Sequence, residues 1–262
     1  MDLGIAGRRA LVLGGNRGIG FGIAKALAAE GVHVAIAARD PDRLRSAAAE
    51  LRSGSAVNVV AAELDLARIA DIAPFAARMT AELGSIDILV NNTGGPAYGG
   101  AAGRPLEEWR SRFEDMVLSL IALTDCLLPD MRARRWGRIL TVISSGVIQP
   151  IPILAISNTL RAALVGWSKT LSGEVAADGV TVNVLVPGRI DTERVRRTDE
   201  ETARKQSISV EEAARRSAAT IPIGRYGTVE EIAAAAAFVL SARASYMTGS
   251  MIRVDGGIVR AW

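Results

Sequence analysis

The sequence predicts a single α/β domain in which helices cover both faces of a seven-stranded parallel sheet. Apolar runs of strand length alternate with helical stretches along most of the chain. Near-continuous apolar runs are typical of strands that are buried on both faces, as in a parallel sheet. A chain of 262 residues, 49% of them hydrophobic, can bury one substantial core. These three observations together predict a doubly wound fold.

Seven apolar runs are the predicted strands. In order they are Ala10–Leu13, Val32–Ala38, Val57–Ala61, Ile86–Val90, Arg138–Ile143, Val180–Val186 and Met251–Val254. Helical stretches separate most of them, beginning with the alanine-rich segment Phe21–Glu30. Strands that alternate with helices in this way are expected to lie parallel in one sheet.

A glycine-rich turn joins the first predicted strand to the first helix. Its sequence is Gly14-Gly15-Asn16-Arg17-Gly18-Ile19-Gly20. Glycines permit positive φ angles and let backbone N–H groups and a helix N-terminus approach a pyrophosphate. The spacing Gly-x-x-x-Gly-x-Gly departs from the general dinucleotide fingerprint. The turn therefore predicts a dinucleotide site, and an ordinary tight strand-to-helix turn is the alternative.

Composition argues against several other classes of protein. The net charge is only +3, and acidic and basic residues are interspersed, which argues against a nucleic-acid partner. No apolar stretch reaches membrane-spanning length and the N-terminus lacks a signal pattern, so we expect a cytoplasmic protein with no membrane partner. No metal site is expected. Cys126, the only cysteine, lies in an apolar helical context and is expected to be a small core residue.

Two arginines predict which dinucleotide is bound. A carboxylate at the end of the second strand would accept hydrogen bonds from the ribose hydroxyls of NAD and repel a 2′-phosphate. That place holds Ala38, which is followed by Arg39, and Arg17 precedes the second motif glycine. Two planar guanidinium groups suit a phosphate monoester. NADP(H) is therefore the expected cofactor and NAD(H) the alternative, since surface arginines and the nearby Asp40 would weaken the preference.

Further motifs resemble the short-chain dehydrogenase/reductase family, classical type. They are Asp65 after the third strand, Asn91 to Gly94 after the fourth, Ser144 after the fifth, Pro187 to Thr192 after the sixth, and Tyr246 to Gly257 around the last. The resemblance runs from about Gly7 to Gly257. It implies a single-domain Rossmann fold and a helical substrate lid around residues 193–226.

The resemblance also implies roles for individual residues. By this resemblance Asp65 and Leu66 hold the adenine, and Asn91 and Gly94 flank the adenosine ribose. After the sixth strand, Ile190 and Thr192 fix the nicotinamide carboxamide and the pyrophosphate, in the turn that begins with Pro187 and Gly188. The family further implies a homodimer or homotetramer, built from the two long helices that contain Met116 and Arg161 and from the C-terminal strand region.

The catalytic positions depart from the family. Its members use a tyrosine as acid, a lysine four residues later, a serine, and an asparagine on the preceding long helix. Those positions hold Ser157, Arg161, Ser144 and Met116 in this chain. An aliphatic hydroxyl is a far weaker acid than a phenol. Arginine can still bind the nicotinamide ribose, but it stays protonated and cannot pass a proton. The usual proton relay is therefore expected to be absent.

Three functions are compatible with this pattern. The first is reduction of a small carbonyl, enoyl or imine substrate with an acid from elsewhere, as in the family's dienoyl-thioester reductases. Tyr98, in the loop after the fourth strand, is the candidate acid, and a loop aromatic packed against the lid is its alternative role. The second is a nucleotide-binding regulatory protein without redox turnover. The third is a lyase or isomerase in which Ser144 and Arg161 stabilise an oxyanion.

Overall fold

The computed structural model describes residues 1–261 and contains the predicted seven-stranded parallel sheet. Its strands are β1 Arg9–Leu13, β2 His33–Ala38, β3 Val59–Glu63, β4 Ile88–Asn91, β5 Gly137–Val142, β6 Val180–Pro187 and β7 Met251–Val254. The strand order is β3-β2-β1-β4-β5-β6-β7, and all pairs are parallel. The order reverses between β1 and β4. In open α/β sheets ligands bind outside the carboxyl ends of the strands at such a point.

Nine α-helices lie in the described residues 1–261. They are α1 Gly18–Ala29, α2 Pro41–Gly54, α3 Ile72–Leu83, α4 Leu106–Phe113, α5 Ser119–Ala133, α6 Ala155–Val175, α7 Glu193–Gln206, α8 Val210–Ala218 and α9 Val229–Val239. A π-helical segment, Glu114–Leu118, connects α4 to α5 without a break. None of these helices is long and apolar enough to cross a membrane.

Two apolar layers hold the helices on the sheet. Helices α1, α2 and α9 bury residues such as Ile23, Leu44 and Ile232 against one face. Helices α3, α5 and α6 bury theirs against the other, so both faces are covered as predicted. Local caps fix where helices start. Thr228 and Glu231 form a reciprocal capping box at α9.

Two strand starts and the place of Cys126 differ from expectation. Strand β4 begins at Ile88 and not at Ile86. Strand β3 begins two residues later than predicted and runs on to Glu63, because it pairs with β2 as far as Ala38. Cys126 was expected in the core, and that prediction is wrong. Its side chain is exposed on α5, since the buried face of this helix is formed by neighbours such as Leu123 and Leu127.

Candidate active site

The glycine turn has the geometry that a pyrophosphate site requires. Gly14 and Gly18 have φ angles of 59° and 54°, in the region that favours glycine. A Cβ at Gly20 would overlap the carbonyl oxygen of Gly14, and one at Gly18 would lie 3.6 Å from Thr192 Cγ2. The turn, with Asn16 and Ile19, therefore leads into the N-terminus of α1 and faces the segment after β6.

The turn after β4 lies beside the glycine turn. Asn92 donates from Nδ2 to the carbonyl of Leu13 at 3.2 Å. The buried Asn91 donates to Thr124 Oγ1 at 3.3 Å. Asn91 Oδ1 and Thr93 Oγ1 are buried and have no hydrogen-bond partner among the described residues, and Gly94 has open space around its Cα. Buried polar atoms without partners are rare, so this turn fits contact with a polar ligand.

The turn after β6 forms the opposite wall of the cleft. Pro187 ends β6, and Gly188 donates its N–H to the carbonyl of Val254 at 2.9 Å. Ile190 is buried and pairs with Gly227. Thr192 is the N-cap residue of α7. The residues after β6 that the family resemblance indicated thus lead directly into α7, where the expected lid begins.

A cavity of about 440 Å³ lies at the carboxyl ends of β2 and β3. Arg39 and Asp65 both line it, so the structure brings together these two predicted adenosine contacts, and Leu66 follows directly. Asp115, from the π-helical segment, is close enough to interact with both charges. Burial is the main cause that raises the pKa of its carboxyl, and Arg112 opposes the shift. Sequence reasoning did not single out Asp115.

The second predicted arginine, Arg17, already has a partner. Its Nη1 donates to Glu193 Oε2 at 2.7 Å, and Arg43 donates to the same oxygen at 3.0 Å. Hydrogen bonds from Arg43 and then Arg17 lower the pKa of Glu193 to about 2. The sequence gave no signal for this contact because Arg17 and Glu193 are 176 positions apart. A 2′-phosphate at this place would have to compete with Glu193.

Arg161 occupies the interior of the catalytic end. It is 6% exposed and donates from Nη1 to the carbonyl of Val142 at 2.8 Å. Its Nη2 donates to the carbonyl of Thr93 at 3.3 Å, and its Nε donates to Ser157 Oγ at 3.3 Å. Burial, and secondarily the charge of Arg194, lowers the pKa of Arg161 to about 10. The guanidinium therefore stays protonated at neutral pH.

Ser144 stands at the end of β5 with a free hydroxyl proton. Its Oγ accepts from the N–H of Gly146 at 3.2 Å, and its proton has no acceptor among the described residues. Asn158 lies beside it, because a Cβ at Gly146 would overlap Asn158 Oδ1 and lie 3.5 Å from Ser144 Oγ. Asn158 donates to the carbonyl of Ile151 at 2.9 Å, and its Oδ1 is buried without a partner among the described residues. Sequence reasoning missed Asn158, whose only signal is its place next to Ser157.

Met116 and Tyr98 are the remaining predicted positions. Met116 is buried in the π-helical segment and forms part of the core. Tyr98 is half-buried, and its hydroxyl hydrogen-bonds with Thr198 Oγ1 of α7. The adjacent Gly99 donates to the carbonyl of Ile153 at 2.7 Å, which ties the loop of Tyr98 to the segment before α6.

Arg194 is a further cation at this end of the cleft. Its guanidinium donates to the carbonyls of Gly95 and Pro96 at 3.3 and 3.4 Å. It also lies 5.6 Å above the ring of Tyr98. The sequence did not single out Arg194, because nothing in the local pattern distinguishes it from its neighbours in the expected lid.

A larger cavity, of about 680 Å³, lies at the amino-terminal ends of β5 and β6. Its buried arginine, Arg138, donates to the carbonyls of Ser241, Gly137 and Gly179 and stacks on Trp136 at 4.5 Å. Catalytic residues of doubly wound folds lie at the carboxyl ends of the strands. We therefore assign Arg138 a structural role.

Comparisons with known proteins agree with this geometry. A family model described as enoyl-(acyl carrier protein) reductase matches residues 14–259. The 3-oxoacyl-[acyl-carrier-protein] reductase FabG of Chlamydia muridarum is 32% identical over 254 residues, covering 97% of this chain and 98% of that protein. The NADPH-dependent reductase BacG of Bacillus subtilis is 31% identical over 255 residues, covering 97% and 98%.

A solved structure extends the likeness to three dimensions. The L-sorbose reductase from Gluconobacter frateurii, complexed with NADPH and L-sorbose, superposes with a TM-score of 0.96 at 34% identity, covering all of both chains. Fold and sequence together define an oxidoreductase with a Rossmann fold. The chain belongs to the short-chain dehydrogenase/reductase family.

Proposed function

We propose that the protein is an NADP(H)-dependent oxidoreductase that reduces a small carbonyl, enoyl or imine substrate with a proton donor other than the family's tyrosine. One observation carries the proposal. A cavity lined by Arg39 and Asp65 lies at the expected adenosine end of the cleft, whereas the position of the acid holds Ser157, hydrogen-bonded to the buried Arg161. Activated C=C and C=N bonds are the favoured targets, because hydride addition to them needs less help from an acid than carbonyl reduction does.

The cofactor would be held by residues from four strand ends. The backbone of the Gly14–Gly20 turn and the N-terminus of α1 would bind the pyrophosphate. Asp65 and Leu66 would contact the adenine, and Asn91 would contact its ribose. The guanidinium groups of Arg39 and Arg17 would bind the 2′-phosphate. Two NADPH complexes, of L-sorbose reductase and of actinorhodin polyketide ketoreductase, are among the structures similar to this chain. They support NADP(H) over NAD(H) as the cofactor.

The catalytic end would act through hydrogen bonds and fixed charge. When bound, the nicotinamide supplies the hydride that the substrate accepts. Ser144 would donate a hydrogen bond from its hydroxyl to the substrate oxygen or nitrogen, which stabilises the negative charge that develops there. Arg161 holds the ribose hydroxyls and adds positive charge but keeps its proton. Tyr98 is the proposed proton donor, and α7 must release its hydroxyl from Thr198 first.

The segment 193–226 is proposed as the substrate lid. Helices α7 and α8 lie within it, and α7 contacts both ends of the cleft through Glu193 and Arg194. We also propose a homodimer or homotetramer. Leu106, Phe113 and Leu118 are exposed along α4 and the π-helical segment, and Met251 is exposed on the edge strand β7. Those faces coincide with the long-helix and C-terminal regions that the family uses for assembly.

Calorimetry and a turnover assay test the proposal together. We expect NADPH to bind at least about tenfold tighter than NADH, and a panel of enones and imines to oxidise NADPH in the presence of the protein. Equal affinity for the two cofactors would contradict the assignment of Arg17 and Arg39. Tight NADPH binding without turnover of any carbonyl, enoyl or imine compound would instead favour a nucleotide-binding protein or non-redox chemistry.

A further inference from the structure

Two guanidinium groups converge on one loop at the catalytic end. Arg161 reaches the loop after β4 from inside, at the carbonyl of Thr93. Arg194 reaches it from the mouth of the cleft, at the carbonyls of Gly95 and Pro96. Neither forms an ion pair with any carboxylate in residues 1–261. In residues 1–261 the hydrogen-bond partners of these two like charges are backbone carbonyls and one hydroxyl, and the Tyr98 ring lies under Arg194.

A buried arginine is not by itself a binding site, and Arg138 shows why. Arg138 also lacks a carboxylate partner in the described chain, and burial also lowers its pKa to about 10. Three backbone carbonyls and the Trp136 ring enclose it, however. The neighbouring cation Arg8 lies 3.8 Å from the buried carboxylate of Asp87. The amino-terminal end of the sheet thus has a fixed negative charge near its cations.

The first two residues of α7 have opposite charges and contact opposite ends of the cleft. Glu193 turns toward the adenosine end and pairs with Arg17 and Arg43. Arg194, the next residue, turns toward the loop after β4 and away from those cations. Helix α7 therefore places a carboxylate at the adenosine end of the cleft and a guanidinium group at the catalytic end. An anion bound beside Arg161 and Arg194 would offset their mutual repulsion.

We propose that Arg161 and Arg194 bind an oxyanion of the substrate, a carboxylate or a phosphate, next to the reacting bond. This inference rests on the proposed function, whose site it deepens. Guanidinium forks match both groups, and charge-assisted bonds of this kind are stronger than neutral ones. Arg161 fixes the inner side of the anion site, and Arg194 closes it from the exposed side as α7 packs on Tyr98.

The test compares the binding of matched neutral and anionic ketones. Ketones are suitable because we expect their reduction to be slow, so that their binding can be measured without turnover. The first pair is 4-oxopentanoate with its methyl ester, and the second is 4-hydroxybutan-2-one with its phosphate ester. Calorimetry is done on the NADPH complex and on the free protein. We expect at least one anion to bind about tenfold or more tightly than its neutral partner, and the two pairs distinguish a carboxylate from a phosphate.

Two variants test whether Arg194 causes the preference for the anion. Arg194→Gln should remove most of the preference for the anion while changing NADPH affinity less than about threefold. Arg204→Gln is the matched control, on the same helix ten residues further along and about 15 Å away by the helical rise, and it should keep the preference. Arg194 is exposed, so its replacement leaves the core intact.

Two results would overturn the inference. One is equal binding of both anions and their neutral partners. The other is an Arg194→Gln variant that keeps the preference for the anion, and if that variant also loses NADPH affinity, Arg194 serves the cofactor. Failure of the proposed function is a separate result. It appears as absent or unselective binding of NADPH, which the same titrations measure without any substrate, or as no oxidation of NADPH with the panel of enones and imines.

Discussion

At the adenosine end of the cleft, Arg17 and Arg43 share the carboxylate of Glu193, whereas at the catalytic end Arg161 and Arg194 bind only neutral oxygens. At the first end one carboxylate offsets part of the positive charge of two arginines. At the second end, Ser157 and Arg161 stand at the positions where the family resemblance expects a tyrosine and a lysine. The two ends thus differ in how the charge of their arginines is offset, and each end can be tested by itself.

The largest expected difference concerns the reacting bond. We expect kcat/KM for pentan-2-one to be lower than that for pent-3-en-2-one by at least about 10²-fold, because positioned acid catalysis contributes about 10²–10⁴-fold and its residue is missing. Steady-state oxidation of NADPH measures both rates on one preparation. Comparable rates would show that another group replaces the phenol fully.

Arg39→Asp should reverse much of the cofactor preference, by tenfold or more in the ratio of NADPH to NADH affinity. A carboxylate there repels the 2′-phosphate and accepts from the ribose hydroxyls of NADH. Calorimetry with both cofactors measures the ratio. Arg45→Asp, on the exposed surface of α2, is the matched control and should leave the ratio unchanged. A ratio unaffected by Arg39→Asp would remove Arg39 from the site.

Comparing Tyr98→Phe with Thr198→Val tests whether Tyr98 donates a proton or only holds the lid in place. If Tyr98 donates the proton, the rate of enone reduction should fall about tenfold or more, whereas Thr198→Val should change it less than about threefold. Both variants break the same hydrogen bond between the loop and α7. Equal losses in the two variants, measured as kcat under saturating NADPH, would mean that the bond positions the lid and that the donor lies elsewhere.

Glu193→Gln should have the smallest effect, an increase of about threefold in NADPH affinity. The change removes a negative charge that competes with the 2′-phosphate for Arg17 and Arg43. NADH affinity should change less. Because the pKa of Glu193 is held at about 2, the carboxylate remains charged throughout the neutral range, and the effect should not depend on pH between 6 and 8. Weaker NADPH binding in this variant would show that Glu193 supports the site.

The fold and the backbone positions of the site could be predicted because they depend on local patterns. Apolar runs indicated all seven strands, and the family resemblance indicated Ser144, Ser157 and Arg161 as candidate site residues, whose roles stay a prediction. Contacts between distant segments could not be predicted. Glu193 meets Arg17, and Arg194 meets Gly95, only after α7 folds over the cleft. Cys126 was misplaced because apolar neighbours on both sides of a helical position do not reveal which face is buried.

The central claim is that the catalytic end differs from an ordinary reductase by its missing proton relay. A variant with Met116→Asn, Ser157→Tyr and Arg161→Lys tests it most directly, by the rate of ketone reduction with NADPH. Ser157→Tyr alone should gain little, because Arg161 cannot pass a proton to the phenol and Met116 cannot take part in a proton relay. The triple variant should gain more than the single changes predict together, as expected for groups that act as a unit. A triple variant that folds and binds NADPH yet reduces no ketone in a broad panel would contradict the claim.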